Sequence, residues 1–195
     1  GKAIGASLVI VGKGVSPNIN IVKETEIKAT EGILVDDYLR TNIPNIYATG
    51  DCASKIMLAH LAAYQGEVAV ENITNPSGFK KATDANIPSC IFTEPEIGNV
   101  GLGEEEAKDK GIDININKFD FLSSGMARIL DETEGVIKII SSPQTAEILG
   151  SSIIGPRATE LIGILTLAIQ SRLKVSHLQE SIFAHPTLSE GIVSA

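Results

Sequence analysis

An imidazole and a carboxylate stand close together in Phe183-Ala184-His185-Pro186-Thr187-Leu188-Ser189-Glu190. A histidine with an ordinary pKa of about 6.5 can take and give a proton near neutrality, and a neighbouring carboxylate orients the ring and raises its basicity. Pro186 bars His185 from helical backbone angles, so the ring can project ahead of a helix that the pattern starts near Thr187. General acid-base catalysis by His185 with Glu190 is one reading. The other is a capping box, in which Glu190 reaches back to the Thr187 backbone N–H and does no chemistry.

A second candidate is the run Thr41-Asn42-Ile43-Pro44-Asn45-Ile46-Tyr47-Ala48-Thr49-Gly50-Asp51. A carboxylate at the C-terminal end of a strand in an α/β sheet can accept hydrogen bonds from ligand hydroxyls at the sheet's crevice. Equally, Asp51 can cap the next helix. That helix is expected to begin at Met57-Leu58-Ala59-His60, where free N–H groups and a macrodipole of about half a positive charge favour an anion. A helix start with no ligand is the alternative for His60, whose side chain reads as structural.

The elements that carry these residues fall into two groups. The continuous apolar run Leu8-Val9-Ile10-Val11, closed by Gly12 and Gly14, suits a buried parallel strand. Short strands are expected over Gly32 to Asp36 and Asn45 to Ala48, then a helix from Met57 to Asn72 with Leu58, Leu61, Ala62, Val68 and Ile73 on its buried face. Asn75-Pro76-Ser77-Gly78 is the clearest linker, which sets the boundary between segments 1–76 and 77–195. Beyond it, strands are expected over Ser89 to Thr93, Ile97 to Val100, Ile112 to Phe121, Gly135 to Ile140 and Ile148 to Ile154, with an acidic helix from Gly103 to Lys110. Successive strands without crossover helices imply an antiparallel sheet. A helix from Ala158 to Arg172 comes next, apolar on more than one face, and is therefore either deeply buried or at a subunit contact. The fold class is thus α/β followed by α+β.

Composition narrows the partners. The 195 residues suffice for a real core and are 43% hydrophobic with 4% aromatic, so that core rests on Ile, Leu, Val and Ala. The 24 acidic and 16 basic residues give a net charge of -8, which disfavours nucleic acid and anionic membrane surfaces. Cys52 and Cys90 are too few for a disulfide scaffold, and a cytoplasmic location is expected. Gly1 opens directly towards an apolar run, as in a piece of a longer protein. No metal site is read.

Taken together, the run ending at Gly50 and Asp51 resembles the second FAD-binding signature of the pyridine nucleotide-disulfide oxidoreductases. Phe183 to Glu190 resembles the terminal signature of the dihydrolipoamide dehydrogenase branch. Pro88-Ser89-Cys90-Ile91-Phe92-Thr93-Glu94-Pro95-Glu96 with Val100-Gly101, and Leu149-Gly150 through Gly155-Pro156 to Glu160-Leu161-Ile162, are similar to that family's dimerisation domain. The resemblance implies the end of an NAD-binding domain and part of an FAD-binding, Rossmann-like domain, followed by a dimerisation domain. It also implies FAD and NAD as cofactors and a homodimer. The substrate would be dihydrolipoamide, free or on a carrier protein of a multienzyme complex. Asp51, with Gly50, would hold the ribityl chain. Leu58, Ala59 and His60 would offer backbone N–H groups to the reduced flavin, and His185 with Glu190 would form the dyad that deprotonates the dithiol.

Three departures are plain. The family's GxGxxG fingerprint and CxxxxC redox pair are absent, and Cys52 and Cys90 are not that pair. Val11-Gly12-Lys13-Gly14-Val15-Ser16-Pro17-Asn18 departs from the usual Gly-Arg-x-Pro-Asn and is similar to the NADH oxidase and CoA-disulfide reductase branch. Glutathione-type reductases using NADP share the His-Pro-Thr and the Glu, and are the alternative enzyme. A non-catalytic dimerisation module is the alternative for the isolated chain.

Overall fold

The computed structural model describes residues 3–75 and 77–195; Pro76 of the expected linker, together with Gly1 and Lys2, lies outside them. The chain forms two compact units, Gly1–Thr83 and Asp84–Ala195.

The first unit is held mostly by turns. A 3-10 turn, Asn20–Val22, precedes two isolated antiparallel bridges, Ala29 to Ile33 and Arg40 to Tyr47. A second 3-10 turn, Gly50–Cys52, leads to helix α1, Ala59–Thr74. The expected strand over Leu8 to Val11 does not form, and its residues are 66 to 88% exposed. A strand forms only against a neighbour that takes up its backbone hydrogen bonds, and none is paired with this run among the described residues. For the same reason Gly32 to Asp36 and Asn45 to Ala48 contribute single bridges rather than strands.

Helix α1 buries Leu61, Gln65, Val68, Ala69 and Asn72, one stripe at helical spacing. Ile73, expected on that face, is 57% exposed, because it lies about 100° round the axis from Asn72. The two polar members of the stripe are both used. Asn72 donates to the carbonyls of Tyr38 (3.3 Å) and Lys80 (2.9 Å) and accepts from Lys80 N–H (2.7 Å), tying two loops to the helix.

The second unit is a five-stranded, wholly antiparallel sheet. Its strands are β1 (Ser89–Ile91), β2 (Glu96–Gly101), β3 (Asn115–Asp120), β4 (Val136–Ser141) and β5 (Ile148–Gly155), in the order β1-β2-β5-β4-β3. Helix α2 (Glu104–Asp109) comes after β2, and α3 (Gly125–Leu130) lies between β3 and β4. Ser124 caps α3 by accepting from Ala127 N–H, and Asp131 ends it in the left-handed region, at φ 59°. Three helices close the chain: α4 (Ala158–Gln170), α5 (Val175–Gln179) and α6 (Glu190–Ser194).

Helix α4 lies on β2 and β5 with Leu161, Ile162, Leu165 and Ile169 in the core. Close approach depends on Gly98, where a Cβ would meet Ala158 carbonyl oxygen at 2.7 Å and Ile162 Cβ at 2.9 Å. Deep burial covers only one face of α4, since Leu167 on the other is 64% exposed. Phe121, Ile137, Ile139, Ile153 and Ile162 complete a core with almost no solvent contact.

Candidate active site

The segment that carries His185 is anchored by its C-terminal neighbours. Leu188 and Ile192 are buried in the main core, and Gly191 lies against β3 and β4, where a Cβ would sit 2.7 Å from the Phe119 ring and 2.8 Å from Ile137 Cδ1. This contact fixes the start of α6, and with it Glu190. Helix α6 begins at Glu190 rather than near Thr187. His185 precedes it on a loop, its side chain 77% exposed, and joins Pro186 through a cis peptide.

Thr187 is not the N-cap of α6, which is Ser189, so no capping box forms, but the Glu190 carboxylate meets both the His185 ring and the Thr187 backbone. Oε1 lies 2.9 Å from His185 Nδ1, while Oε2 accepts from the Thr187 backbone N–H at 2.8 Å. Those two contacts, the Thr187 amide first and the histidine second, hold the Glu190 carboxyl below the usual carboxylate range. An ionised carboxylate can only accept, so Nδ1 carries the ring proton of a neutral His185 and Nε2 is left with the lone pair. A base so oriented can take a proton from a thiol presented from solvent or from another chain.

In the first unit, the 3-10 turn carrying Gly50 and Asp51 is held on α1. Gly50 has φ 70° and its N–H donates to the buried Gln65 Oε1 at 2.8 Å, and a Cβ at Gly50 would lie 3.0 Å from Ala62 Cβ. Asp51 is exposed at the rim of this turn. Leu58 is the N-cap of α1 and offers no side-chain acceptor, and no acidic residue stands in the first turn, which starts with Ala59 and His60. Nearby, a cavity of about 360 Å³ is lined by Pro17, Gly32, Ile33, Ala53, Lys55 and Met57, among others.

The structure therefore brings His185 and Glu190 into contact in one unit. Separately, it sets Gly50 and Asp51 beside the helix that Leu58, Ala59 and His60 begin. Two residues escaped sequence reasoning. Gln65 signals itself only as a polar residue within an apolar helical stripe, and Thr187 was visible only as a cap. Both cysteines are unpaired; Cys90 Sγ lies 3.9 Å from the Thr159 carbonyl, and burial pushes its thiol up, with Glu96 and Glu160 adding to the effect. Among the described residues no group of three or more metal-ligating side chains converges, and no helix is long and apolar enough to cross a membrane.

Comparison with known proteins bears on both units. Residues 87–195 match the family model described as pyridine nucleotide-disulphide oxidoreductase, dimerisation domain, and residues 1–66 match that of pyridine nucleotide-disulphide oxidoreductase. A dihydrolipoyl dehydrogenase of Chlamydia pneumoniae is 45% identical over 166 residues, 84% of this chain and 35% of that protein. One from Geobacillus stearothermophilus is 40% identical over 194 residues, 97% of this chain and 41% of that protein. This chain thus spans well under half the length of these relatives. Among solved structures, the HOCl-induced flavoprotein disulfide reductase RclA from Escherichia coli, in its Cu(II) complex, matches with a TM-score of 0.85 at 27% identity over 93% of this chain and 42% of that one. LpdA from Mycobacterium tuberculosis matches with a TM-score of 0.83 at 26% identity over 92% of this chain and 40% of that one. With its antiparallel sheet, its paired histidine and glutamate and both family models in register along its length, the chain belongs to the pyridine nucleotide-disulphide oxidoreductase family.

Proposed function

We propose that this chain supplies the acid-base pair and part of the flavin site of a dihydrolipoyl dehydrogenase, an NAD-dependent enzyme that oxidises dihydrolipoamide. The observation that carries the reading is the Glu190 carboxylate shared between His185 Nδ1 and the Thr187 N–H. It leaves Nε2 as the base that accepts the dithiol proton, and the resulting imidazolium is stabilised by the adjacent carboxylate. The thiolate so formed attacks a redox disulfide, which Cys52 and Cys90 do not supply. A homodimer belongs to the proposal, with each His185 serving the disulfide of the other subunit, and the 77% exposure of its side chain suits such a target. Carriage of the substrate on a protein of a multienzyme complex and a cytoplasmic setting, to which the two free thiols are suited, are further parts of it.

The residues of the first unit fit FAD. Asp51 is an exposed carboxylate that can accept from ribityl hydroxyls, Gly50 sets its turn, and the N-cap Leu58 makes no side-chain cap bond to the start of α1. Backbone N–H groups of Leu58, Ala59 and His60 would face the flavin's anionic edge. When bound, the flavin relays two electrons between the disulfide and the nicotinamide.

The test is dithiol-dependent NAD reduction by the whole enzyme containing this chain, with dihydrolipoamide and glutathione offered in competition. Turnover with dihydrolipoamide, slowed about 10²-fold or more by His185→Ala with flavin content unchanged, supports the reading. Activity confined to glutathione and NADPH would replace it with the glutathione-type reductase.

A further inference from the structure

The contacts made by Glu190 account for the ring's orientation but not for the shape of the loop that presents it. Thr187 makes three contacts there. Its N–H holds Glu190 Oε2 (2.8 Å), its hydroxyl donates to the Ala184 carbonyl (2.7 Å), and its Oγ1 lies 2.9 Å from Ser189 Oγ. A hydroxyl has one proton, and a carbonyl can only accept. The Thr187 proton is therefore committed to Ala184, so Ser189 must be the donor to Thr187 Oγ1. The carbonyl that Thr187 grips belongs to the residue immediately before His185, and the carboxylate it grips is the one on the His185 ring. One residue thus ties the backbone ahead of the histidine to the group that aims it.

We propose that Thr187, with Ser189 as its donor, is a positioning residue for the His185–Glu190 pair. It acts through the loop and touches no substrate. Half-buried beside the anchor Leu188, it converts the rigidity of the core into a fixed place for an otherwise exposed imidazole. The proposal deepens the acid-base reading above and rests on it.

The holoenzyme is tested as Thr187→Val, which keeps the β-branched shape and removes the hydroxyl, and as Thr187→Ser, which restores it. Dithiol oxidation by Thr187→Val should lose about 10-fold or more in kcat with KM little changed, since small misplacements of a catalytic group are costly. Flavin absorbance should be unchanged, and Thr187→Ser should recover most of the rate. A spectroscopic readout is independent of substrate. The chain has three histidines. His177 accepts the Lys174 N–H at Nδ1 (2.9 Å) and so carries its proton on Nε2 when neutral, the opposite tautomer to His185. In ¹⁵N-histidine spectra, His185 should show a protonated Nδ1 in the wild type and in Thr187→Ser, and a mixture of tautomers in Thr187→Val. Wild-type kcat and an unchanged His185 tautomer in a folded, flavin-loaded Thr187→Val enzyme would overturn the proposal. If the wild type does not turn over dihydrolipoamide, the lipoamide reading falls, and the tautomer comparison alone decides the role of Thr187.

Discussion

The backbone N–H of Gly50 donates to the side-chain oxygen of Gln65 across 2.8 Å in a buried setting. The bond joins the turn that carries Asp51 to the middle of α1, so the carboxylate and the helix start keep a fixed relation within that unit. A glutamine on an apolar helical face is otherwise an expense, and this one has its side-chain oxygen occupied by a backbone donor.

Replacing Gln65 with Met keeps the length of the side chain and removes the acceptor. The buried Gly50 N–H then lacks a partner, at a cost of about 1–3 kcal/mol. We expect a lower melting temperature and weaker flavin retention in the whole enzyme, read from flavin absorbance after gel filtration. Retention equal to the wild type would detach Gln65 from the flavin site.

For Glu190→Gln the expected loss is catalytic, about 10-fold or more in the dithiol step, because an amide can still accept a hydrogen bond but cannot stabilise the imidazolium. Its pH signature comes from the sign of the shift. The folded carboxyl lies below its ordinary value of 4.5, so its contribution to stability is complete above that value and is lost as pH falls through the lower folded one. The melting-temperature gap between wild type and Glu190→Gln should hold at neutral pH and close only as the pH falls below the ordinary carboxyl value of 4.5. A gap that closes already between pH 7 and 5 would assign the effect to another group.

Gly98→Ala puts a methyl group against the Ala158 carbonyl and Ile162 Cβ, neither of which is the end of a flexible side chain. Overpacking of this kind costs about 1–3 kcal/mol. For a chain of this size that lowers the melting temperature by roughly 3–10 °C. An unchanged melt would mean that α4 can ride away from β2 freely.

Cys90 should alkylate slowly. With its thiol pushed up by burial and then by Glu96 and Glu160, little thiolate exists near neutrality. Mass spectrometry after iodoacetamide should find it modified well behind a free thiol of ordinary pKa. Rapid labelling would contradict the buried environment.

The legible parts of the fold are those whose partners lie in the same stretch of sequence. Strands β2, β4 and β5 and helix α4 announce themselves by alternation or helical spacing, and each finds its neighbour within the second unit. Leu8 to Val11 carries as strong an apolar signal, yet periodicity records only that a strand wants burial and says nothing of what lies beside it. Helix α3 escaped because Gly125-Met126-Ala127-Arg128-Ile129-Leu130 is too short to show a period, although Ser124 as its cap was there to be read. At the site, His185 and Glu190 were evident from residue type. That one carboxylate meets both the His185 ring and the Thr187 N–H was not, because sequence cannot say that its two oxygens take different partners.

The position of β5 in the sheet governs the order in which this protein can be made. The central strand of the second unit is the last of its five to leave the ribosome, with β1 and β2 waiting on one side and β3 and β4 on the other. Until Ile148–Gly155 is synthesised, the nascent chain holds two separate hairpins with apolar faces and unpaired edges, and neither alone closes a core. The sheet is completed by one late insertion that joins both halves. A chain ending before Ile148 therefore leaves an open edge on each hairpin, and the core closes only when Leu178, Leu188 and Ile192 have followed β5 and α4.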